Sequence, residues 1–135
     1  MKKNNKGFTL VELIAVIGII GILLASASFV VINHMNDARK KTEQISAKNF
    51  ITAVNDYNAI SDTKINCTSQ CNVSTVIPYV KQSLHGKYPS EGKITISPST
   101  HKVARASLKI SKYIVNYDGS KYTIGTTIQS LPNAS

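Results

Sequence analysis

The chain has 135 residues, with 16 Lys or Arg against seven Asp or Glu and a formal net charge of +9. A chain of this length holds one modest domain, and its basic excess favours anionic surfaces without indicating a fold. No period of 20–50 residues recurs, which excludes a solenoid or a propeller.

The chain begins with a polar, basic stretch and continues directly into an apolar one. Residues 1–7 contain three lysines, and residues 8–32 contain a single charge, Glu12. A helix over 8–32 would span ~37 Å, which is enough to cross a ~30 Å hydrocarbon core. Because basic residues before a first apolar helix hold that end in the cytoplasm, everything after residue 32 is predicted to be exported.

Helical periodicity continues beyond the apolar run. Residues 33–60 contain neither Pro nor Gly, and their apolar side chains recur at spacings near three and four. The pattern predicts one continuous helix from Phe8 to about Ala59, with an apolar stripe that must be buried against the C-terminal part of the chain. The stripe consists of Met35, Ala38, Ile45, Phe50, Ala53, Val54, Tyr57 and Ile60.

Residues 61–135 are predicted to form a globular head. Residues 61–72 have loop composition, and Ser74 is a candidate N-cap for a short helix over 75–84. The period then shifts towards two, which predicts strands, and Asp118-Gly119-Ser120 is a hairpin signal. The strands are expected over 93–97, 101–110, 113–117 and 121–126, with a tail over 129–135. The predicted fold class is α+β, with the long helix packed on a small antiparallel sheet.

Two cysteines, Cys67 and Cys71, lie in the part that is predicted to be exported. Export implies an oxidising compartment, where a close pair of cysteines forms a disulfide. Three residues separate the two cysteines, so they are not a Cys-x-x-Cys redox motif, and the three histidines are too scattered to complete a zinc site. We therefore predict a Cys67–Cys71 disulfide that closes a small loop, worth ~2 kcal/mol by chain entropy, and no metal.

The candidate functional residues lie at the border between the basic stretch and the apolar run. Gly7 permits close approach of a peptidase to the backbone, and Phe8 opens the apolar run without a spacer. Glu12 lies one turn inside, where an unpaired carboxylate costs up to ~2.5–3.5 kcal/mol and needs a partner. Once the leader is removed, the sequence offers no evident partner within the chain. Cleavage between Gly7 and Phe8 creates an α-amino group, which is a cation. Pairing of that cation with Glu12 of a neighbouring chain would fix the axial offset between the two chains.

The run from Lys6 to Leu24, KGFTLVELIAVIGIIGILL, resembles the signature of type IV pilins and pseudopilins, called the class III signal. The resemblance implies that a prepilin peptidase cuts between Gly7 and Phe8 and that the new N-terminal Phe8 is N-methylated. It also implies that Glu12 is the carboxylate needed for assembly and that Thr9 and Leu10 belong to the sequence that the peptidase recognises. One departure is the absence of the Pro that many relatives carry partway along this helix, which leaves open whether the helix unwinds on assembly.

The resemblance implies a structural subunit of an extracellular type IV pilus that serves adhesion, motility or DNA uptake. The precursor is then a single-pass protein of the cytoplasmic membrane with its N-terminus inside, and the assembled chain is a homo-oligomeric filament at the cell surface. The implied partners are the prepilin peptidase, the membrane, and a pilus assembly platform with its motor; no cofactor is implied. The alternative is a pseudopilin of a type II secretion or competence DNA-uptake system.

The chain thus divides into four predicted parts. These are a leader over 1–7, a transmembrane and filament-core helix over 8–32, an amphipathic helix over 33–60 and a head over 61–135. A secretory signal peptide is the structural alternative for the N-terminal part, with Ala25-Ser26-Ala27 as its cleavage site. Glu12 counts against it, because it interrupts an apolar region where a signal peptide gains nothing from a charge. The two interpretations predict different mature N-termini, Phe8 or Ser28.

Catalysis by this chain is not expected. The six acidic residues of the exported part form no close pair suited to acid–base chemistry, and the sequence has no Gly-x-Ser-x-Gly motif, no metal-spaced His pair and no phosphate loop. Five basic residues near three tyrosines form a candidate surface for DNA or another polyanion, for which a solvated strand face is the structural alternative. They are Lys102, Arg105, Lys109, Lys112 and Lys121.

Overall fold

The first element is helix α1, which runs from Leu10 to Ile60. The computed structural model describes residues 7–84 and 86–135, so most of the predicted leader and His85 lie outside the described residues. The chain divides into two units, of which one ends at Ala38 and the other comprises Arg39–Ser135. The predicted helix is confirmed, although it begins two residues after Phe8.

In the first unit, α1 is apolar on every side. Its large apolar side chains up to Ile32 are all exposed, from 47% at Val16 to 78% at Phe29. The hydroxyls of Ser26 and Ser28 donate to the carbonyls of Leu23 and Leu24, so these serines do not interrupt the apolar surface. Among the described residues, α1 is the one helix that is long and apolar enough to cross a membrane. An apolar surface of this extent requires lipid or other protein chains to cover it.

In the second unit, α1 contributes one face to a hydrophobic core. The predicted stripe is correct at Phe50, Ala53 and Val54, which are buried, but Ile45 and Ile60 are 59% and 86% exposed. The observed stripe instead contains two buried polar residues at the same helical spacing, because they have partners elsewhere in the head. The buried residues of α1 are Glu43, Ala47, Phe50, Ile51, Ala53, Val54 and Asn58.

The head contains a five-stranded antiparallel sheet in the order β1-β2-β3-β4-β5. The elements are β1 (Cys71–Asn72), α2 (Val73–Val80), β2 (Glu91–Ile96), β3 (Val103–Ile110), β4 (Tyr113–Tyr117) and β5 (Tyr122–Gly125). Alternate side chains of the central strands, including Ile94, Leu108 and Val115, are buried in the same core as the α1 stripe. The predicted α+β class, a long helix packed on a small antiparallel sheet, is confirmed.

The strand predictions agree with the sheet within two or three residues, but three other local predictions were wrong. The short helix α2 begins at Val73 and is not capped by Ser74, because Asn72 ends β1 in an extended conformation and α2 follows at once. Residues 61–72 are not wholly loop, since Cys71 and Asn72 pair with β2. Residues 129–135 are not a loose tail, because their backbone amides donate to side chains and a carbonyl of the head.

A buried asparagine joins the end of α1 to two loops. The Asn58 side chain is 2% exposed, and its Nδ2 donates to the carbonyls of Ile65 (3.3 Å) and His101 (2.9 Å). Its Oδ1 accepts the Ile65 amide at 2.8 Å. Three residues earlier, Asn55 Oδ1 accepts the Val103 amide at 2.8 Å. The C-terminal turn of α1 is thereby tied to the first residue of β3 and to the loop before it.

A buried carboxylate lies on the same face of α1. Glu43 is 4% exposed, and its Oε1 accepts a hydrogen bond from Lys87 Nζ at 2.8 Å. Its Oε2 has no hydrogen-bond partner among the described residues. The loop before β2 is thus held on α1 by one ion pair. The second carboxylate oxygen is buried without a hydrogen bond to offset its desolvation.

The predicted hairpin at Asp118-Gly119-Ser120 is confirmed between β4 and β5. Gly119 has φ +103°, a left-handed conformation that suits glycine. Hydrogen bonds from the backbone amides of Lys121 and Ser120 and from the Ser120 hydroxyl lower the pKa of the Asp118 carboxyl. The turn is therefore stabilised by the ionised form of its first residue.

Candidate processing and assembly site

The first turn of α1 is closed by a reciprocal pair of hydrogen bonds. Thr9 precedes the helix and its Oγ1 accepts the backbone amide of Glu12 at 3.3 Å. In return, Glu12 Oε2 accepts the Thr9 amide at 2.9 Å and the Thr9 hydroxyl at 3.1 Å. This is a capping box, in which an N-cap Thr and a Glu three residues later satisfy each other's backbone donors.

The absence of an evident intrachain partner for Glu12 was therefore a wrong interpretation. The partner is Thr9, to which the family resemblance gives a role only in recognition by the peptidase. The signal that could have found it is the Thr-x-x-Glu spacing directly before an apolar run. The physical reason is local: an N3 carboxylate reaches back to the amide of the N-cap residue without any tertiary contact.

The capping box also determines the residue at which α1 begins. Gly7, Phe8 and Thr9 lie outside α1, and all three are exposed. A Cβ added to Gly7 would meet nothing within 4 Å, so space in this unit does not require the glycine. The bond between Gly7 and Phe8 is therefore non-helical and accessible, and Leu10 is the first helical residue.

This geometry places a carboxylate, a non-helical glycine and an exposed apolar helix within a few residues of one another. Residues 2–28 match the family model described as the prokaryotic N-terminal methylation motif. The chain carries the class III prepilin signal of type IV pilins and pseudopilins. Such a signal implies processing by a peptidase and assembly into a membrane-associated filament, and the exposed apolar helix fits a membrane-anchored precursor.

The prepilin match ends within the apolar helix and says nothing of the head. A search of curated proteins finds no significant match to the chain, and a search of solved structures finds none either. The head must therefore be understood from its own geometry.

The disulfide predicted for the head is present. Cys67 and Cys71 are bonded to each other, with their Cα atoms 5.6 Å apart. Cys71 pairs with Ile94 at the start of β1, and the carbonyl of Cys67 accepts the Ile96 amide at 2.8 Å. Both ends of the small disulfide loop are thus attached to β2.

The five candidate polyanion-binding residues lie in different parts of the head. Arg105 and Lys109 are on β3, on the face opposite the core, and Lys109 Nζ is 3.2 Å from a carboxylate oxygen of Glu91. Lys112 is in the turn between β3 and β4, 5.3 Å from the ring centroid of Tyr113.

Lys102 precedes β3 and Lys121 lies between β4 and β5. Antiparallel connectivity puts these two lysines at the end of the sheet away from Lys112. Tyr117 and Tyr122 stack at 4.7 Å and pack against the core. The structure does not bring the five cations together, and binding of a polyanion stays a prediction.

No group of three or more His, Cys, Asp or Glu that could hold a metal ion occurs in residues 7–84 and 86–135. The site at the N-terminus contains one carboxylate and one hydroxyl, which suits hydrogen bonding and ion pairing.

Proposed function

We propose that the chain is a structural subunit of an extracellular type IV pilus. In this proposal, residues 1–7 are a leader, residues 8–32 anchor the precursor in the cytoplasmic membrane with its N-terminus inside, and residues 33–60 connect that helix to the head (61–135). A prepilin peptidase cuts between Gly7 and Phe8 and Phe8 is N-methylated. A separate assembly platform and motor extract the subunit into a homo-oligomeric filament at the cell surface.

The observation that carries the proposal is the combination of the capping box with an apolar helix exposed on every side. Such a helix must be covered by lipid in the precursor, and by other copies of itself once the subunit leaves the membrane. One covering surface can replace the other, because both are apolar. The N-terminal half of α1 can therefore serve as a membrane anchor first and as a filament core later.

The carboxylate supplies the direction and spacing of assembly. In the precursor, Thr9 satisfies one Glu12 oxygen and leaves the negative charge without a counterion among the described residues of this unit. Cleavage creates an α-amino cation on Phe8, and the Glu12 carboxylate of an incoming chain pairs with that cation on its neighbour. A buried pair of this kind acts chiefly by specifying register, since its formation repays the desolvation of both charges only when the geometry is correct.

Two substitutions separate the charge of Glu12 from its capping role. Glu12→Gln keeps the side-chain acceptor, because Gln serves at this position of a capping box, whereas Glu12→Ala removes both the cap and the charge. Both variants are expected to be cleaved and to contain a folded head, and neither should form filaments. Immunoblotting of sheared surface fractions and electron microscopy measure assembly. If Glu12→Gln assembles like the unmodified chain, charge pairing is not the basis of assembly.

N-terminal sequencing of the mature chain tests the processing step. We expect N-methylated Phe8, and a mature terminus at Ser28 would mean that the apolar run is a secretory signal peptide. This result is independent of the assembly test.

The alternative assignment is a pseudopilin of a type II secretion or competence DNA-uptake system, which shares the prepilin signal and the anchor. Electron microscopy of cells that lack this chain separates the two. Loss of all surface fibres is expected for a major pilin, and unchanged fibres would contradict that role. Adhesion, motility and DNA uptake are then tested on the same deletion strain.

A further inference from the structure

Residues 129–135 run from β3 past the disulfide loop to the residue that follows β2. We call residues 129–135 the strap. At its start, the Gln129 amide donates to Ser107 Oγ at 3.0 Å. Further along, the Leu131 amide donates to Gln70 Oε1 at 3.2 Å and the Ala134 amide donates to the Thr68 carbonyl at 2.9 Å. The Ser135 carbonyl accepts the Ser97 hydroxyl at 2.9 Å. The strap is thus held at three places, on β3, on the loop before β1 and on the residue that follows β2.

The strap lies on the face of the sheet away from α1. Ser107 alternates along β3 with Ala106 and Leu108, which are in the core, so its side chain points to the opposite face. That face would be open to solvent in a two-layer fold, yet Ser107 is 0% exposed. Its hydroxyl accepts from Gln129 and donates to Asn116 Oδ1 at 2.6 Å. The strap therefore acts as a partial third layer over the polar side of the sheet.

Both acceptors at the far end of the strap belong to the disulfide loop. Thr68 and Gln70 lie between Cys67 and Cys71, and both are exposed. Beyond the disulfide, the ends of this loop are attached to β2 by the two-residue strand β1 and by one hydrogen bond from Ile96. Two paired residues are a weak constraint, so the cross-link is the strongest element that gives residues 68–70 one conformation.

We propose that the Cys67–Cys71 disulfide loop is the docking site for residues 131–134 of the strap, so that this part of the strap packs on the head only after these two thiols are oxidised. In the oxidation, the two cysteine thiols lose two electrons and two protons and form the S–S bond. The disulfide of an exported thiol–disulfide oxidoreductase takes up those electrons and protons and becomes a dithiol. A precursor that has just been exported carries an open strap, and oxidation completes the outer face of its sheet. The inference concerns the head alone and does not depend on filament assembly.

Amide hydrogen exchange of the full chain in detergent micelles, resolved by NMR, tests the coupling. Reduction with dithiothreitol, whose dithiol becomes a cyclic disulfide, should accelerate exchange of the Leu131 and Ala134 amides by about tenfold or more, as expected for loss of a hydrogen bond. The Gln129 amide is an internal control within the strap, because its acceptor is on β3. Its exchange and that of the β3 amides should change by less than about threefold.

Two variants distinguish the disulfide from the strap contacts themselves. The double variant Cys67→Ser, Cys71→Ser should reproduce the reduced pattern without any reductant. Gln70→Ala keeps the disulfide and should accelerate exchange at Leu131 while Ala134 stays protected. The proposal is overturned if the strap amides are equally protected in the oxidised and reduced chains. It is also overturned if reduction accelerates the β3 amides as much as the strap, because the disulfide would then support the whole head.

Discussion

Replacement of Asn58 by alanine should be among the most destabilising changes in the head that leave the hydrophobic core intact. The substitution removes all three hydrogen bonds of the buried side chain, two to carbonyls and one to an amide. Those backbone groups belong to Ile65, which is itself buried, and to His101. At about 1 kcal/mol net for each bond, the expected loss in the free energy of unfolding is about 3 kcal/mol.

Asn55→Ala is the matched control. Both asparagines lie on the last turns of α1, so the change in helix propensity is the same for the two substitutions and cancels in the comparison. Asn55 has one hydrogen bond to the Val103 amide and is only partly buried, which predicts a loss of about 1 kcal/mol. The two variants should therefore differ by about 2 kcal/mol.

Urea unfolding of the full chain in detergent micelles provides the measurement. The chain has six tyrosines and no tryptophan, so near-ultraviolet circular dichroism of the tyrosines reports loss of head packing. The midpoint should fall much further for Asn58→Ala than for Asn55→Ala, at an unchanged slope. Equal midpoints for the two variants would show that the loops at the end of α1 do not depend on the Asn58 hydrogen bonds.

Three further predictions concern the stability of the head, each measured by the same unfolding assay. Gly92→Ala should destabilise by roughly 2 kcal/mol or more, because Gly92 has φ +153° and an added Cβ would lie 2.5 Å from a carbonyl oxygen of β3; an unchanged midpoint would contradict this. Lys87→Ala should lower the free energy of unfolding by roughly 2 kcal/mol, since it leaves the buried Glu43 carboxylate unpaired. Lys109→Ala, at an exposed ion pair, should lower it by under about 1 kcal/mol. A larger loss for Lys109→Ala than for Lys87→Ala would contradict the role of burial. The lowered pKa of Asp118 contributes stability at pH values above 3.8, the ordinary pKa of an Asp carboxyl, and this stability is lost as the pH falls through the folded-state pKa. An Asp118→Asn chain should therefore lose less stability than the unmodified chain in that acid range. Parallel stability profiles of the two chains at acid pH would contradict this prediction.

Features that depend on neighbouring residues could be predicted from the sequence. The apolar run, the Gly7–Phe8 border and Glu12 are readable because a helix in lipid needs length and hydrophobicity, and these are properties of consecutive residues. The hairpin around Gly119 is equally local, since a turn residue and two alternating segments specify it. The capping box is also local, because Thr9 and Glu12 encode it within four residues directly before the apolar run.

Other features were decided only by the tertiary structure. Glu43 and Asn58 are polar residues at positions of the buried face of α1, and their burial depends on Lys87 and on the loops around Ile65 and His101, up to 44 residues away. The same holds for the strap, whose acceptors are a serine on β3 and two residues of the disulfide loop. Sequence periodicity specifies which face of an element is apolar. The identity of the polar groups that meet across the head follows from how helix, sheet and loops pack, because contacts between distant segments form only when every element is in register.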